Sequence, residues 1–451
     1  MAATAALALI ARPDFSVSGA SAAAPKSAIA HLPTIEQATL ANGLRIAVLQ
    51  VDAAPVVAVQ VWYHAGSKDE PGNRRGSAHM FEHMMFKGTQ HVRAEAHAQF
   101  LNGIGGAVNA QTDEDATHYV DTVPSDYLDF AIQLEAERMR GLLIRKPMVD
   151  AEREVVKEEI RQTENSPLTK GFLRFLQVAY THHPYAWTAG GTISDLDATS
   201  PEDLQKFYDT YYQPNNAMLV VVGKTTLAQV QASAEHYFGP IAKAPTPPRP
   251  AAERAEPAQI GSRREVVEPS QIGLVLVGWH IPPASNPDVY ALQVASIILG
   301  SGESSRLKQK LKAIDPATQK PYALDGGVES LVREDPGLTI AVGVYRDAKA
   351  ADAIEALIQA EVTKLGKTGP TAEELRKAKT NVQSGFVFSL EHAQGLAEAI
   401  GRAWILTGDP QSFLHQVDQI EKVTAADVQR VVKTYLQSDR ATVVVIPSKG
   451  S

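Results

Sequence analysis

At 451 residues the chain exceeds what one hydrophobic core normally supports, so two or more domains are expected. It is 44% hydrophobic and 21% charged, the balance of a soluble globular protein, and its net charge of −8 excludes a broad basic surface for nucleic acid. Cysteine is absent, which removes disulfides, thiol nucleophiles and Cys-bound zinc, so any metal must be held by His, Asp or Glu.

The chain opens with MAATAALALIA and has ASAAAP at 20–25. An apolar run followed by small residues is the pattern of a signal peptide, although the usual basic start is missing because Arg12 follows the run. Residues 1–32 are read as a leader, which puts the mature chain in the periplasm or another exported location; a cytoplasmic chain with a disordered Ala-rich leader is the alternative. No later apolar stretch approaches the roughly 20 residues needed to span a bilayer, so no transmembrane segment is expected.

Next come two strand candidates, LRIAVLQV (44–51) and PVVAVQVWYHAG (55–66). The segment 125–162 reads as a helix, a short break and a second helix, and 199–223 as a capped helix followed by a Val-rich strand. Residues 241–258, IAKAPTPPRPAAERAEPA, are Pro- and Ala-rich and poor in large apolar residues, as in an extended linker. After it the same order returns: strands REVVEP (264–269) and IGLVLVGWHIP (272–282), a helix pair at 350–385, and a helix and strand at 423–447. The pattern predicts an α+β fold of two homologous domains, 33–240 and 259–451, each a mostly antiparallel sheet covered on one side by helices.

The first half holds a possible metal constellation at GSAHMFEHMMFKGTQ (76–90). On a helix, His79 and His83 stand one turn apart on one face, and Glu82 projects near it. Zinc suits two imidazoles and one carboxylate with a fourth position open to water, and a nearby carboxylate that does not bind the metal can take that water's proton. The order His-x-x-Glu-His is the inverted form of a known zinc motif. In DAEREVVKEEIRQ (150–162), Glu152 and Glu159 are two helical turns apart and share a face, while Glu158 points elsewhere. One of that pair can bind the metal while the other hydrogen-bonds a ligand or a metal-bound histidine.

These residues resemble the pitrilysin, insulin-degrading-enzyme and mitochondrial-processing-peptidase family, and the resemblance spans about 35–447. EHMMFKGT (82–89) and GGAVNAQTDEDATHYV (105–120) are close to family patterns. The family places its glutamate ligand some 76 residues after the second His; here Glu159 stands 76 residues after His83, which selects it over Glu158. By the same resemblance Glu82 is the general base, Glu152 is the supporting acid, and one Zn2+ is bound per chain. The strand around Asn109 and Ala110 would hold an extended substrate by backbone pairing, with a plain sheet strand as the alternative. The family's second domain contributes an Arg–Tyr pair; Tyr322 matches the Tyr, but the Arg place holds Lys312, and Arg306 is assigned to a helix start or the chamber surface. His118, His182 and His183 are read as surface or hydrogen-bonding histidines, and THHPYAW as a loop.

The second half has IILGSGESSRLKQKLK (297–312) in place of the motif, so it is expected to be non-catalytic. The function implied is a zinc-dependent endopeptidase acting on peptides or unfolded segments inside an enclosed chamber. The chain is half the length of single-chain members with four such domains, which implies a homologous partner subunit, a heterodimer rather than a homodimer. The alternative is a non-enzymatic assembly or scaffold subunit of a larger complex.

Overall fold

The structure is a computed structural model and describes residues 34–249, 254–316, 318–389 and 392–450. The expected leader at 1–32 lies outside the described residues. Among those described, no helix is long and apolar enough to cross a membrane.

The first half builds a six-stranded sheet from β1 (Glu36–Thr39), β2 (Arg45–Gln50), β3 (Val56–Tyr63), β4 (Ala107–Thr112), β5 (Thr117–Pro124) and β6 (Ala217–Gly223). Their order is β1-β2-β6-β3-β5-β4. The second half builds β7 (Arg263–Val266), β8 (Gly273–His280), β9 (Asp325–Leu331), β10 (Leu338–Tyr345) and β11 (Thr442–Ile446) in the order β7-β11-β8-β10-β9. Without β1 the two orders coincide. Each sheet even has its one parallel pair at the same place, β2 with β6 and β11 with β7. This is the duplicated, mostly antiparallel α+β plan; β1, β5, β9 and β10 are strands that the sequence patterns did not announce.

The helices also repeat. Leu128–Gly141 and Lys146–Glu164 answer to Ala351–Thr368 and Ala372–Ser389, and Pro201–Tyr211 answers to Ala425–Tyr435. The last two open with the same reciprocal cap, Ser200 with Asp203 and Thr424 with Asp427, in which each hydroxyl accepts the N–H three residues on and each carboxylate accepts the N–H of the cap residue.

Each sheet packs one face on its own half's helices. Val57, Val59, Val61, Leu219 and Val221 pack with Phe81, Ile132, Leu204 and Phe238. The opposite face is covered as well, by a helix lent from the other half. Ala58, Trp62, Met218, Val220 and Val222 are packed by Leu396, Ile400 and Trp404 of helix Ala393–Thr407. In return, Phe172, Phe175 and Leu176 of helix Pro167–Ala179 cover Leu274, Leu276, Val444 and Ile446. Burial on two faces explains why β6 and β11 are unbroken apolar runs. The approach is close at both crossings: a Cβ on Gly401 would stand 2.2 Å from the Trp62 ring, and one on Gly171 would stand 2.1 Å from Ile446 Cδ1.

Polar contacts bind the halves further. Residues 241–249 have no regular structure, but Arg249 donates to the His64 carbonyl (2.6 Å) and Asn216 Oδ1 (3.0 Å). Arg254 pairs with Asp69, and the Glu256 carboxylate accepts the consecutive N–H groups of Thr181, His182 and His183 at 2.8–2.9 Å. The linker is therefore held on either side of 250–253, at Arg249, Arg254 and Glu256. Beside it the ammonium of Lys68 is buried between Asp115 (2.5 Å) and Glu334, and His64 Nε2 lies 2.6 Å from the same Glu334. Burial alone would raise the pKa of Glu334, but His64 and Lys68 pull it down to about 2.

Gly401→Ala is expected to cost about 1–3 kcal/mol of stability, because overpacking against a rigid indole outweighs the roughly 1 kcal/mol that Ala gains over Gly in a helix. Gly385→Ala, on the helix Ala372–Ser389 with nothing within 4 Å of the added Cβ, should instead gain up to about 1 kcal/mol; urea unfolding of both variants reads the opposite signs. A carboxylate held below its ordinary 4.5 contributes stability above that pH and loses it as the pH falls toward about 2. Denaturation midpoints should therefore fall across that window, and fall less in Glu334→Gln; identical profiles would show that Glu334 carries none of the dependence.

Candidate metal centre

The inverted motif lies on the short helix Ser77–Met84. Eight residues do not sustain a helix alone, and the surroundings hold it. The buried carboxyl of Glu70 accepts the N–H groups of Gly76 (2.9 Å) and Ala78 (2.8 Å), satisfying donors that a helix start leaves open, while burial raises its pKa over the opposing pull of those N–H groups. Gly76 begins the helix at φ 89, a left-handed conformation that favours glycine. Ala78, Met80, Phe81 and Met84 are buried in the core, and His79 and His83 are left half-buried with ring centroids 4.9 Å apart. Nothing in the pattern of residues 67–72 marked Glu70, because its role depends on a loop folding back on the helix start.

Helix Lys146–Glu164 packs on the motif helix and buries Val149, Glu152, Val156 and Ile160. It carries Glu159 to both histidines: Glu159 Oε2 is 3.5 Å from His79 Nε2 and 3.7 Å from His83 Nε2. One ligand atom from each of the three residues lies within 4.8 Å of the others. Glu152 reaches only one of the rings, with Oε2 3.5 Å from His83 Nδ1 and Oε1 3.1 Å from Lys87 Nζ. Helical spacing alone left open which of the two acids would do which, and the family resemblance implied Glu159 as the ligand and Glu152 as its support. Geometry gives Glu159 the shared position and Glu152 the far nitrogen of His83. Glu158 turns to Arg161, 3.3 Å away.

The donor set fits zinc. Ligands bound at about 2.0–2.2 Å in a tetrahedron stand roughly 3.4 Å from one another, close to the separations here. Burial, with His83 adding to it, lowers the pKa of His79 to about 3, so its imidazole is neutral, the form that ligates. Burial acts on His83 in the same direction but is outweighed by Glu152, Glu159 and Glu82, which raise its pKa. Glu82 itself is only 7% exposed, and its Oε2 is buried with no hydrogen-bond partner among the described residues. Burial raises its pKa over the opposing influence of Thr112 and His83.

A cavity of about 960 Å3 opens between the halves. His79, Glu159, Gln111 and Thr112 line one side, and Arg333 and Arg402 of the second half line the other. β4 forms an edge of the first sheet and pairs only with β5, so its outer side is free of a neighbouring strand. Asn109 is exposed and Ala110 is 5% exposed; neither side chain lines the cavity, which takes Gln111 and Thr112 from this strand instead. Tyr322 is half-buried in the segment before β9 and stands outside the cavity lining, so the structure does not bring it to the metal centre. Lys312 pairs with Glu303 at 2.8 Å, and Arg306 ties its helix start to Glu374 at 2.6 Å. The guanidiniums that do face the cleft, Arg333 and Arg402, belong to no motif and could not be found by spacing. His118 and His183 are buried; His118 stacks on Trp62 at 3.8 Å, and His183 Nδ1 accepts the Tyr185 N–H.

A second group of possible ligands, His97, Asp121 and Glu135, is fully buried. It is satisfied from within. Arg138 pairs with Glu135, His97 Nε2 lies 3.1 Å from Asp121, and burial lifts Asp121 to about 6 and Glu135 to about 7. A guanidinium already occupies the place of a cation there.

The model of the family described as "Insulinase (Peptidase family M16)" matches residues 45–190, and that described as "Peptidase M16 inactive domain" matches 198–382. The zinc protease PqqE of Helicobacter pylori is 30% identical over 420 residues, 92% of this chain and 93% of that protein. The probable mitochondrial-processing peptidase subunit beta of Arabidopsis thaliana is 26% identical over 416 residues, 90% of this chain and 77% of that one. The crystal structure of a protease from Helicobacter pylori matches with a TM-score of 0.85 at 30% identity, covering 92% of this chain and 99% of that chain. With both halves matched in order and a 30% identical relative along nearly its whole length, the chain belongs to the insulinase (M16) family of peptidases.

Proposed function

We propose that the chain is a zinc-dependent endopeptidase that cuts extended peptides or unfolded segments in the cleft between its halves. The observation that carries this is the approach of His79 Nε2 and His83 Nε2 to one oxygen of Glu159, beside the buried carboxyl of Glu82, whose Oε2 has no hydrogen-bond partner among the described residues. His79, His83 and Glu159 would hold the metal. Zinc bound there would supply a Lewis acid that polarises the scissile carbonyl and acidifies water.

The remaining work falls to side chains. Glu82, raised in pKa by burial, is suited to take a proton from water and return it to the departing amine. Glu152 fixes the ring of His83 through Nδ1, and Lys87 keeps Glu152 ionised: its pKa is lowered despite burial, through contacts with His83 and Lys87. The free edge of β4 would align an extended backbone beside the centre, so pairing with Asn109 and Ala110 is through the main chain. A cleft of this size admits a peptide and excludes a folded protein.

A homologous partner subunit, a heterodimer in preference to a homodimer, would close the open side, where Glu159 is 46% exposed, and would supply the substrate-binding Tyr that Tyr322 does not. One of the matched relatives is itself named as a subunit of a processing peptidase. The apolar start and the small residues at 20–25 support an exported chain.

Glu82→Gln should keep stoichiometric zinc and lose about 10²- to 10⁴-fold in kcat on a fluorogenic peptide. Surviving turnover would remove Glu82 from the role of base. Glu159→Gln should lose the metal, and Glu152→Gln should weaken zinc affinity by about 10- to 100-fold, read by competition with a chelator.

A further inference from the structure

The turn between β4 and β5 reads Asp113-Glu114-Asp115-Ala116 and sets three carboxylates in a row, of which Asp113 and Glu114 line the cleft and Asp115 is buried behind them. Adjacent acids repel, yet each has its own cation. Arg402 Nη1 is 3.1 Å from Asp113 Oδ2, Arg333 Nη1 is 2.5 Å from Glu114 Oε2, and Lys68 Nζ is 2.5 Å from Asp115 Oδ1. Two of these cations come from the second half. Arg402 stands on the helix that covers the far face of the first sheet, and Arg333 follows β9.

The turn has little freedom of its own. Asp113 Oδ1 accepts the N–H groups of Asp115 and Ala116, both at 2.8 Å, and the Glu334 N–H reaches Asp115 Oδ2 at 3.2 Å. Behind it, Gly66 comes so close that a Cβ would stand 2.5 Å from the carbonyl of Glu114. The strand entering this turn carries Gln111 and Thr112 into the cleft with His79 and Glu159, and Thr112 borders Glu82.

We propose that Arg402 and Arg333 are positioning residues: through the acid turn, the half without the zinc motif fixes where the edge of β4 sits relative to the metal centre. Neither guanidinium has to touch the substrate. The proposal rests on the peptidase reading for its consequence, which is that a peptide paired to β4 is presented to Glu82 in register.

The test uses the full zinc-loaded chain and the variants Arg402→Gln, Asp113→Asn, the two combined, and Arg402→Lys. Asn at 113 keeps the Oδ1 acceptor of the turn and removes the charge together with the Oδ2 acceptor that Arg402 reaches. Lys at 402 restores a charge with one N–O contact, the number Arg402 makes to Asp113. Hydrogen exchange of the 107–112 amides should quicken about fivefold in each charge-removing single variant, no further in the combined one, and return to native in Arg402→Lys, with zinc content unchanged. KM for the peptide should rise by a similar factor while kcat moves less. Unaltered exchange in Arg402→Gln overturns the proposal, and so do additive effects of the two single changes. If exchange responds as described but the native zinc-loaded chain cleaves no peptide, the clamp stands and the peptidase reading falls, so the two failures are told apart.

Discussion

A β-sheet whose strands are apolar on both faces must be covered twice, and this chain meets that requirement by exchange. Helix Pro167–Ala179 leaves the first half to cover the second sheet, and helix Ala393–Thr407 returns the cover. Fully burying a large apolar side chain is worth roughly 1.5–3 kcal/mol, so Trp62, Phe175, Ile400 and their neighbours make the joint comparable to a core rather than to a contact between domains. The rest follows from that joint. The halves cannot slide past each other without exposing these faces, and the cleft between them has a defined width and a defined set of facing residues.

The candidate metal centre uses this rigidity. Its two nitrogens come from a helix too short to stand alone, and its oxygen comes from a long helix with one buried stripe. What aligns them is the shared core underneath: Phe81 and Met84 below the first, Val149, Val156 and Ile160 below the second. Charge is then arranged outward. Glu159 lies between two imidazoles, Glu152 lies behind one of them, and Lys87 lies behind Glu152. Glu82 Oε2 is buried without a hydrogen-bond partner among the described residues, and an unsatisfied polar group of that kind marks a candidate functional position.

Much of this was legible in the residues. The two capped helices with Val-rich strands, at 199–223 and 423–447, announced a repeated unit, because Ser200–Asp203 and Thr424–Asp427 are local signals that need no tertiary partner. The helices that carry the candidate ligands were legible through their four- and seven-residue spacings. Three things were not. The exchange of helices leaves no local trace beyond the unbroken apolar strands, since a run such as AMLVVVG states that both faces are buried but not by what. Glu70 caps the motif helix through a folded-back loop, and Arg333 and Arg402 meet the acid turn from more than 200 residues away, so no spacing rule reaches them. The Tyr322 assignment followed a family pattern across an insertion, and the structure leaves that side chain outside the cleft.

The lent helices also bear on how such a chain arises. If each half descends from one ancestral unit, that unit standing alone would have shown water an apolar sheet on one side and a detached amphipathic helix on the other. Two copies trading helices would have cured both faults at once, by the low-cost route that domain swapping offers. Joining the copies end to end converts that symmetric pair into one polypeptide and frees one copy from keeping the HMFEH residues, while both must still keep the glycines at the crossings, Gly171 and Gly401.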